Sequence, residues 1–272
     1  MASNFLGRLQ MIFFLLAVTP VTLFLVPIQW IAVEFRLRAA LWLPVIYHRF
    51  VTRMMGLTIR VHGVPLHSGP RLFLSNHISW LDIVALSTAL PLSFVARADV
   101  ASWPVFGLFA KLQQTVFVDR TRKMATKSAV GRVAERFGRG EAILLFAEGT
   151  TSDGQRVFDF RPALLGAVSS EELAEPVTVQ PVALYYQSRA GMRLRRSETP
   201  EIAWYGDMDL LPHFAGILRG PPIIVDIWFG EPFQTADVKD RKILARDAQR
   251  QIRSARALLA RGREAPMVWP VT

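Results

Sequence analysis

His77 and Asp82 stand five residues apart in the run Asn76-His77-Ile78-Ser79-Trp80-Leu81-Asp82, which follows the apolar stretch Arg71-Leu72-Phe73-Leu74-Ser75. An imidazole held by a carboxylate suits general-base work, a purely structural pair being the other reading. The carboxylate takes one ring N–H, and the second nitrogen is left to collect a proton. In an uninterrupted helix a five-residue step turns side chains roughly 140° apart, too far to meet. The pairing therefore needs a helix that starts after His77, with Ser79 placed as its N-cap. From just outside that first turn His77 can fold back onto Asp82.

Two further stretches carry polar chemistry at strand ends. Thr115-Val116-Phe117-Val118-Asp119-Arg120 reads as a buried strand ending in a charged pair. Arg120 could clamp an anion there, with Arg122 and Lys123 deepening the field; a solvated surface turn is the other reading. Ile143-Leu144-Leu145-Phe146 runs directly into Glu148-Gly149-Thr150-Thr151-Ser152-Asp153-Gly154. Gly149 permits close backbone approach, and Glu148 with Thr150 and Thr151 can hold a polar substrate part. A simple turn is the alternative, since Ser-Asp-Gly is turn chemistry. There is no G-x-S-x-G elbow, phosphate-binding loop, dinucleotide fingerprint or H-E-x-x-H pair, and the remaining histidines lack metal-ligand spacing. No metal is expected.

These residues need a scaffold. Short apolar runs at Leu57–His62, Arg71–Ser75, Ser93–Ala96, Thr115–Val118, Ala142–Phe146, Val179–Tyr186 and Ile223–Phe229 read as strands. Helices are expected at Trp80–Thr88, Trp103–Leu112, Ala125–Phe137, Arg161–Ser169 and Val238–Arg261. The alternation predicts an α/β domain with a mixed, largely parallel sheet flanked by helices.

The 272-residue chain is 51% hydrophobic, lacks cysteine and carries a net charge of +10, so disulfides and thiolate chemistry are excluded. The charge suits nucleic acid, an anionic bilayer surface or an acidic protein. From Leu9 to Val33 no residue is charged, a length that spans a bilayer. Pro20 and Pro27 predict a kink or a re-entrant course. A cleaved signal peptide fits less well, because the run is too long and no small-x-small site precedes Glu34. Arg36, Arg38, Arg49, Arg53 and Arg60 follow the run and only Arg8 precedes it. The positive-inside rule then places the rest of the chain in the cytoplasm, at the inner membrane. Residues 36–56 read as a basic helix, lying in the headgroup layer or packed on the domain. The partition is residues 1–56 as membrane anchor and basic helix, and 57–272 as catalytic domain.

Taken in order, N-H-x4-D, V-F-V-D-R, F-A-E-G-T and the strand with Gln180-Pro181-Val182 resemble the glycerolipid acyltransferases of the 1-acylglycerol-3-phosphate acyltransferase family, over roughly residues 55–235. The resemblance implies that His77 is the general base on an acceptor hydroxyl and Asp82 its orienting partner. It also associates Arg120, Glu148 and Gly149 with acceptor binding. It implies a lysolipid acceptor, an acyl thioester donor on acyl-carrier protein or coenzyme A, no cofactor, a membrane and no nucleic acid.

Members acting on lysophosphatidate commonly read F-P-E-G-T-R, whereas this chain has Ala147 for the Pro and Thr151 for the Arg. Gln114 stands where a Gly often precedes the second block. The lost Arg removes a bidentate phosphate ligand. The wording E-G-T-T-S-D-G and Y-G-D-M-D-L-L-P-H is similar to the branch that acylates lyso-ornithine lipid, a zwitterion without phosphate, whose carboxylate Arg120 could meet. Lysophosphatidate, or both acceptors, is the alternative. From other classes there remain a non-enzymatic protein binding anionic lipid and an esterase using water.

Overall fold

In the computed structural model, residues 2–119, 123–169, 176–235 and 240–263 are described. Two helices come first, α1 (Ala2–Glu34) and α2 (Ala39–Met54). There follow β1 (Leu57–His62), β2 (Arg71–Ser75), α3 (Leu81–Leu86), β3 (Ser93–Arg97), α4 (Phe106–Leu112), β4 (Val116–Val118), α5 (Lys123–Gly138) and β5 (Ala142–Phe146). Then come β6 (Thr178–Arg189), β7 (Met192–Arg193), α6 (Leu210–Arg219), β8 (Ile223–Phe229), β9 (Phe233–Gln234) and α7 (Arg241–Leu259).

The main sheet runs β1-β8-β6-β2-β5-β3-β4. Every neighbouring pair along it is parallel except β6–β8, so the expected mixed, largely parallel sheet is present. The central strands β2 and β5 are buried at every position, as strands covered on both faces must be. Side chains alternate between two cores. Phe73 and Leu144 join a cluster beneath α1, α2, α3 and α6, while Leu72, Leu74, Ile143 and Leu145 join one beneath α5 and α7.

Helix α1 continues through Pro20 and Pro27 as one helical segment. Its stretch Phe5–Glu34 is long and apolar enough to cross a membrane, with mean hydropathy 2.5. It is nonetheless part of the packing. Phe14 and Val18 are buried in the same cluster as Phe73, and Phe14 meets Phe214 of α6 edge to face. At Gly7 a Cβ would lie 2.7 Å from the Arg219 carbonyl oxygen, so α6 can approach this closely only against glycine. The Gln29 amide donates to the carbonyls of Ala40 (3.0 Å) and Leu112 (2.8 Å), tying α1 to α2 and α4.

Three details differ from the sequence expectation. Helix α6 was not anticipated, because Pro212 and Gly216 interrupt its apolar pattern; Pro212 is accommodated in the first turn, where its missing N–H costs little. The segment Pro162–Ser169 is a 3-10 helix rather than an α-helix. The helix after Ser79 is shorter than expected, covering Leu81–Leu86. Gln114, in the place where related sequences often have Gly, adopts φ +56, a left-handed conformation that explains why glycine suits that turn.

Candidate active site

Both chemistry-bearing segments leave the carboxyl ends of adjacent parallel strands. Ser75 of β2 is paired with Phe146 of β5. His77 follows the first and Glu148 the second, the usual place for a site in such a sheet. β6 continues beyond the end of β2, and Asn76 extends the ladder. Its side-chain oxygen accepts the Leu184 N–H at 2.9 Å, and its amide donates to the Leu184 carbonyl at 3.2 Å. A side chain thus does the work of one more peptide group and fixes where the loop begins.

The His77 ring lies flat on Phe146, centroids 3.8 Å apart and planes 9° from parallel. Its Nδ1 is 2.7 Å from Asp82 Oδ2. The same oxygen accepts the N–H groups of Ile78 (2.6 Å) and Ser79 (2.9 Å), and Oδ1 accepts the Tyr186 hydroxyl at 2.6 Å. Asp82 is fully buried and serves only as an acceptor, so Nδ1 carries the ring proton and Nε2 is left as the basic nitrogen. Burial and the adjacent Asp82 carboxylate push the Tyr186 phenol well above its ordinary value, which keeps it a donor.

Ser79 does not cap the helix as expected. Trp80 holds the cap position without a side-chain bond, and the Ser79 hydroxyl is buried with no hydrogen-bond partner among the described residues. Asp82 instead reaches back from inside the first turn to the two amides that precede the helix, those of Ile78 and Ser79, while its own N–H bonds the Ser79 carbonyl at 3.0 Å. Those two amides are consequently committed to Asp82 and cannot serve an oxyanion.

Glu148 braces the backbone of the catalytic candidate rather than its ring. Oε1 accepts the His77 N–H and Oε2 the Phe158 N–H, each at 2.8 Å. The His77 carbonyl accepts from the Ser152 N–H (2.9 Å) and hydroxyl (3.1 Å), so the residue is held on both sides of its peptide. Burial pushes the Glu148 carboxyl up to about 7, against the two amide bonds and the charge of Arg256, which pull it down.

Gly149 adopts φ +72 at the end of the turn that follows β5, its N–H bonded to the Phe146 carbonyl at 3.1 Å. Thr150 and Glu148 line a cavity of about 550 Å3 whose walls include Phe158, Phe160, Arg161 and Pro162. Thr151 is partly buried beside Ser152 and is not among the lining residues. Arg120 and Arg122 lie outside the described residues. Gln180, singled out with Pro181 and Val182, is structural: its amide donates to the carbonyls of Val64 and Gly230 and accepts the Leu66 N–H.

Sequence reasoning missed four contributors: Phe146 beneath the ring, Tyr186 on Asp82, Arg161 in the cavity wall, and Arg256. Arg256 reaches in from α7 to donate to the Gly154 carbonyl at 2.6 Å. Its signal was present, since Arg256 follows Ile252 by four residues on the buried face of α7.

The raised Glu148 carboxyl has a measurable consequence. With a folded-state value near 7 against the ordinary 4.5, the stabilisation from this group is fully present below pH 4.5 and is lost as pH rises to 7. The amount is on the order of 3 kcal/mol. Urea denaturation at several pH values should show this decline in the native protein. The Glu148→Gln variant should lack it; an identical slope in both would refute the assignment.

Among known proteins, the acyltransferase family model matches residues 58–185. The lyso-ornithine lipid O-acyltransferase of Brucella abortus (strain 2308) is 43% identical over 266 residues, covering 96% of this chain and 99% of that protein. The protein of the same name from Rhizobium meliloti (strain 1021) is 41% identical over 246 residues, 89% of this chain and 84% of that one. The crystal structure of the 1-acyl-sn-glycerophosphate (LPA) acyltransferase PlsC from Thermotoga maritima superposes with a TM-score of 0.65 at 16% identity, over 94% of this chain and 97% of that one. A partly buried histidine held by a buried aspartate at the mouth of this sheet, and sequence identity maintained along nearly the whole chain, lead to one assignment: the chain belongs to the acyltransferase family and is an acyltransferase enzyme.

Proposed function

We propose that this enzyme is a membrane-bound lysolipid O-acyltransferase that moves a fatty acyl group from an acyl thioester to a lysolipid hydroxyl, with lyso-ornithine lipid as acceptor and ornithine lipid as product. The observation that carries the mechanism is the His77–Asp82 contact at 2.7 Å, with the Asp82 carboxylate saturated by three other donors. His77 Nε2 takes the acceptor hydroxyl proton as the oxygen attacks the thioester carbonyl carbon. The C–S bond then breaks, and the thiolate recovers that proton from the imidazolium. Asp82 faces the imidazolium with a negative charge while it exists. The acceptor oxygen is itself the nucleophile, so no acyl-enzyme is required.

The acceptor reading draws on the names of the two relatives above and on Thr151, which stands where an arginine would serve a phosphomonoester. The donor is acyl-carrier protein or acyl-coenzyme A, and the net charge of +10 suits an acidic carrier. The apolar helix α1 supports anchorage in the inner membrane with the sheet facing the cytoplasm.

The test supplies membranes containing the protein with labelled acyl donor and, in separate reactions, lyso-ornithine lipid or lysophosphatidate. The expected result is a kcat/KM at least tenfold higher for lyso-ornithine lipid. Preference for lysophosphatidate would replace this reading with phosphatidate synthesis, the second reading.

A further inference from the structure

Helix α2 presents one continuous stripe at residues 42, 46, 49 and 53, spaced by steps of four, three and four so that all four side chains share a face. Trp42 and Ile46 are large apolar residues left 55% and 60% exposed. Arg49 and Arg53 continue the stripe, also exposed. At the arginine end the stripe opens into a cavity of about 680 Å3 between α2 and β1, whose lining includes Thr52, Ile59, Val61 and Thr88 and no acidic residue.

We propose that this groove is a binding site for one anionic phospholipid, the phosphate lying between Arg49 and Arg53 and an acyl chain along Ile46 and Trp42. The Arg49 Nε donates to the Thr88 carbonyl at 2.9 Å. That bond holds the guanidinium at the cavity rim and leaves its terminal nitrogens to a ligand. Arg53 has no side-chain hydrogen bond or ion pair among the described residues. Some other exposed arginines are answered by carboxylates, as Arg97 is by Asp99, Arg139 by Glu135 and Glu141, Arg250 by Asp247 and Arg253 by Asp159. Among the described residues Arg53 shares its lack of a carboxylate with Arg38 and Arg219 but differs from them in lining a cavity.

Arg53 also complements the carbonyl end of α2, but that role accounts for neither the second guanidinium nor the cavity. β1 is the end strand of the sheet, and its residues Leu57, Thr58, Ile59 and Val61 form the wall opposite α2. The lipid is the source of the anion because the groove has an apolar half as well as a basic one, on a helix packed against the candidate membrane span through Thr22 and Tyr47, 2.8 Å apart. The site is separate from the reaction site, since β8 and β6 stand between β1 and the strand that delivers His77.

The inference rests on the membrane reading of α1 for the origin of the ligand, but not on acyl transfer. Its test therefore omits the acyl donor. Full-length protein in neutral detergent is titrated with chain-labelled phosphatidylglycerol, competed by unlabelled phosphatidylglycerol, phosphatidylcholine, inorganic phosphate or the lysolipid acceptor.

The expected result is saturable binding that phosphatidylglycerol competes at least tenfold better than phosphatidylcholine, with neither phosphate nor acceptor competing. The Arg49→Gln/Arg53→Gln variant should bind at least tenfold more weakly. So should Val61→Asp, which puts a carboxylate at an exposed position on the cavity wall. Arg246→Gln/Arg250→Gln should bind normally. Equal competition by phosphatidylcholine, or unchanged binding in both groove variants, would overturn the proposal. Competition by phosphate would reassign the groove to free anions. Displacement by the acceptor would assign the binding to the reaction site.

Discussion

Replacing His77 with alanine is expected to lower acyl transfer by about 100- to 10,000-fold, the range that a positioned general base contributes. The protein should remain folded. The ring makes one hydrogen bond and one stacking contact, while the three other donors to Asp82 stay in place, so the stability cost should be about 1–2 kcal/mol. The backbone of His77 is held by Glu148 and Ser152 and does not depend on the ring. Initial rates at saturating acceptor, with a melting curve in the same detergent, check both halves. A folded His77→Ala protein retaining a tenth or more of native activity would remove His77 from the mechanism.

Asp82 separates charge from geometry. In Asp82→Asn an amide oxygen in the Oδ2 position can still accept from His77, Ile78 and Ser79. The amide nitrogen then faces the Tyr186 hydroxyl, which can rotate to accept. The bonds from His77, Ile78 and Ser79 and the His77 tautomer are preserved, the Tyr186 contact reverses its direction, and the negative charge opposite the imidazolium disappears. A charge pair at about 4 Å and an effective dielectric near 20 is worth about 4 kcal/mol, so activity should fall roughly a thousandfold with little change in melting temperature. Asp82→Leu should behave differently. It leaves two amides and a phenol buried without acceptors, each costing about 1–3 kcal/mol, and the folded state itself should be lost or severely weakened. Equal stability of the two variants would mean that Asp82 does not organise the loop.

What could be read in advance was what depends on neighbours in the chain. Strands β1, β2, β5 and β8 begin and end where their apolar runs do, and the His77–Asp82 pairing follows from a five-residue step across a helix start. Contacts made across the sheet were not legible. Tyr186 lies 104 residues from Asp82. Strand alternation could have shown that Tyr186 faces the same core as Leu81 while Tyr185 faces the other, but no pattern says that a buried tyrosine will meet a carboxylate. Ser79 does not cap because the helix begins at Leu81, one residue later, and the Asp82 N–H that its hydroxyl would take is bonded to the Ser79 carbonyl instead. Glu148 was read as a ligand for substrate, yet its two oxygens are occupied by protein amides.

The packing of α1 bears on how the enzyme comes into being. Phe14 and Val18 belong to the core that also contains Phe73 and Ile78, and Gly7 and Gln29 fit against α6, α2 and α4. Helix α1, which precedes every strand in the chain, is therefore a wall of the fold on which later segments assemble. If α1 enters the bilayer during synthesis, the rest of the chain completes its interior only at the membrane surface. A proteolytic cut after Glu34 would release a protein missing part of its own core, prone to unfold before it could modify lipids elsewhere in the cell.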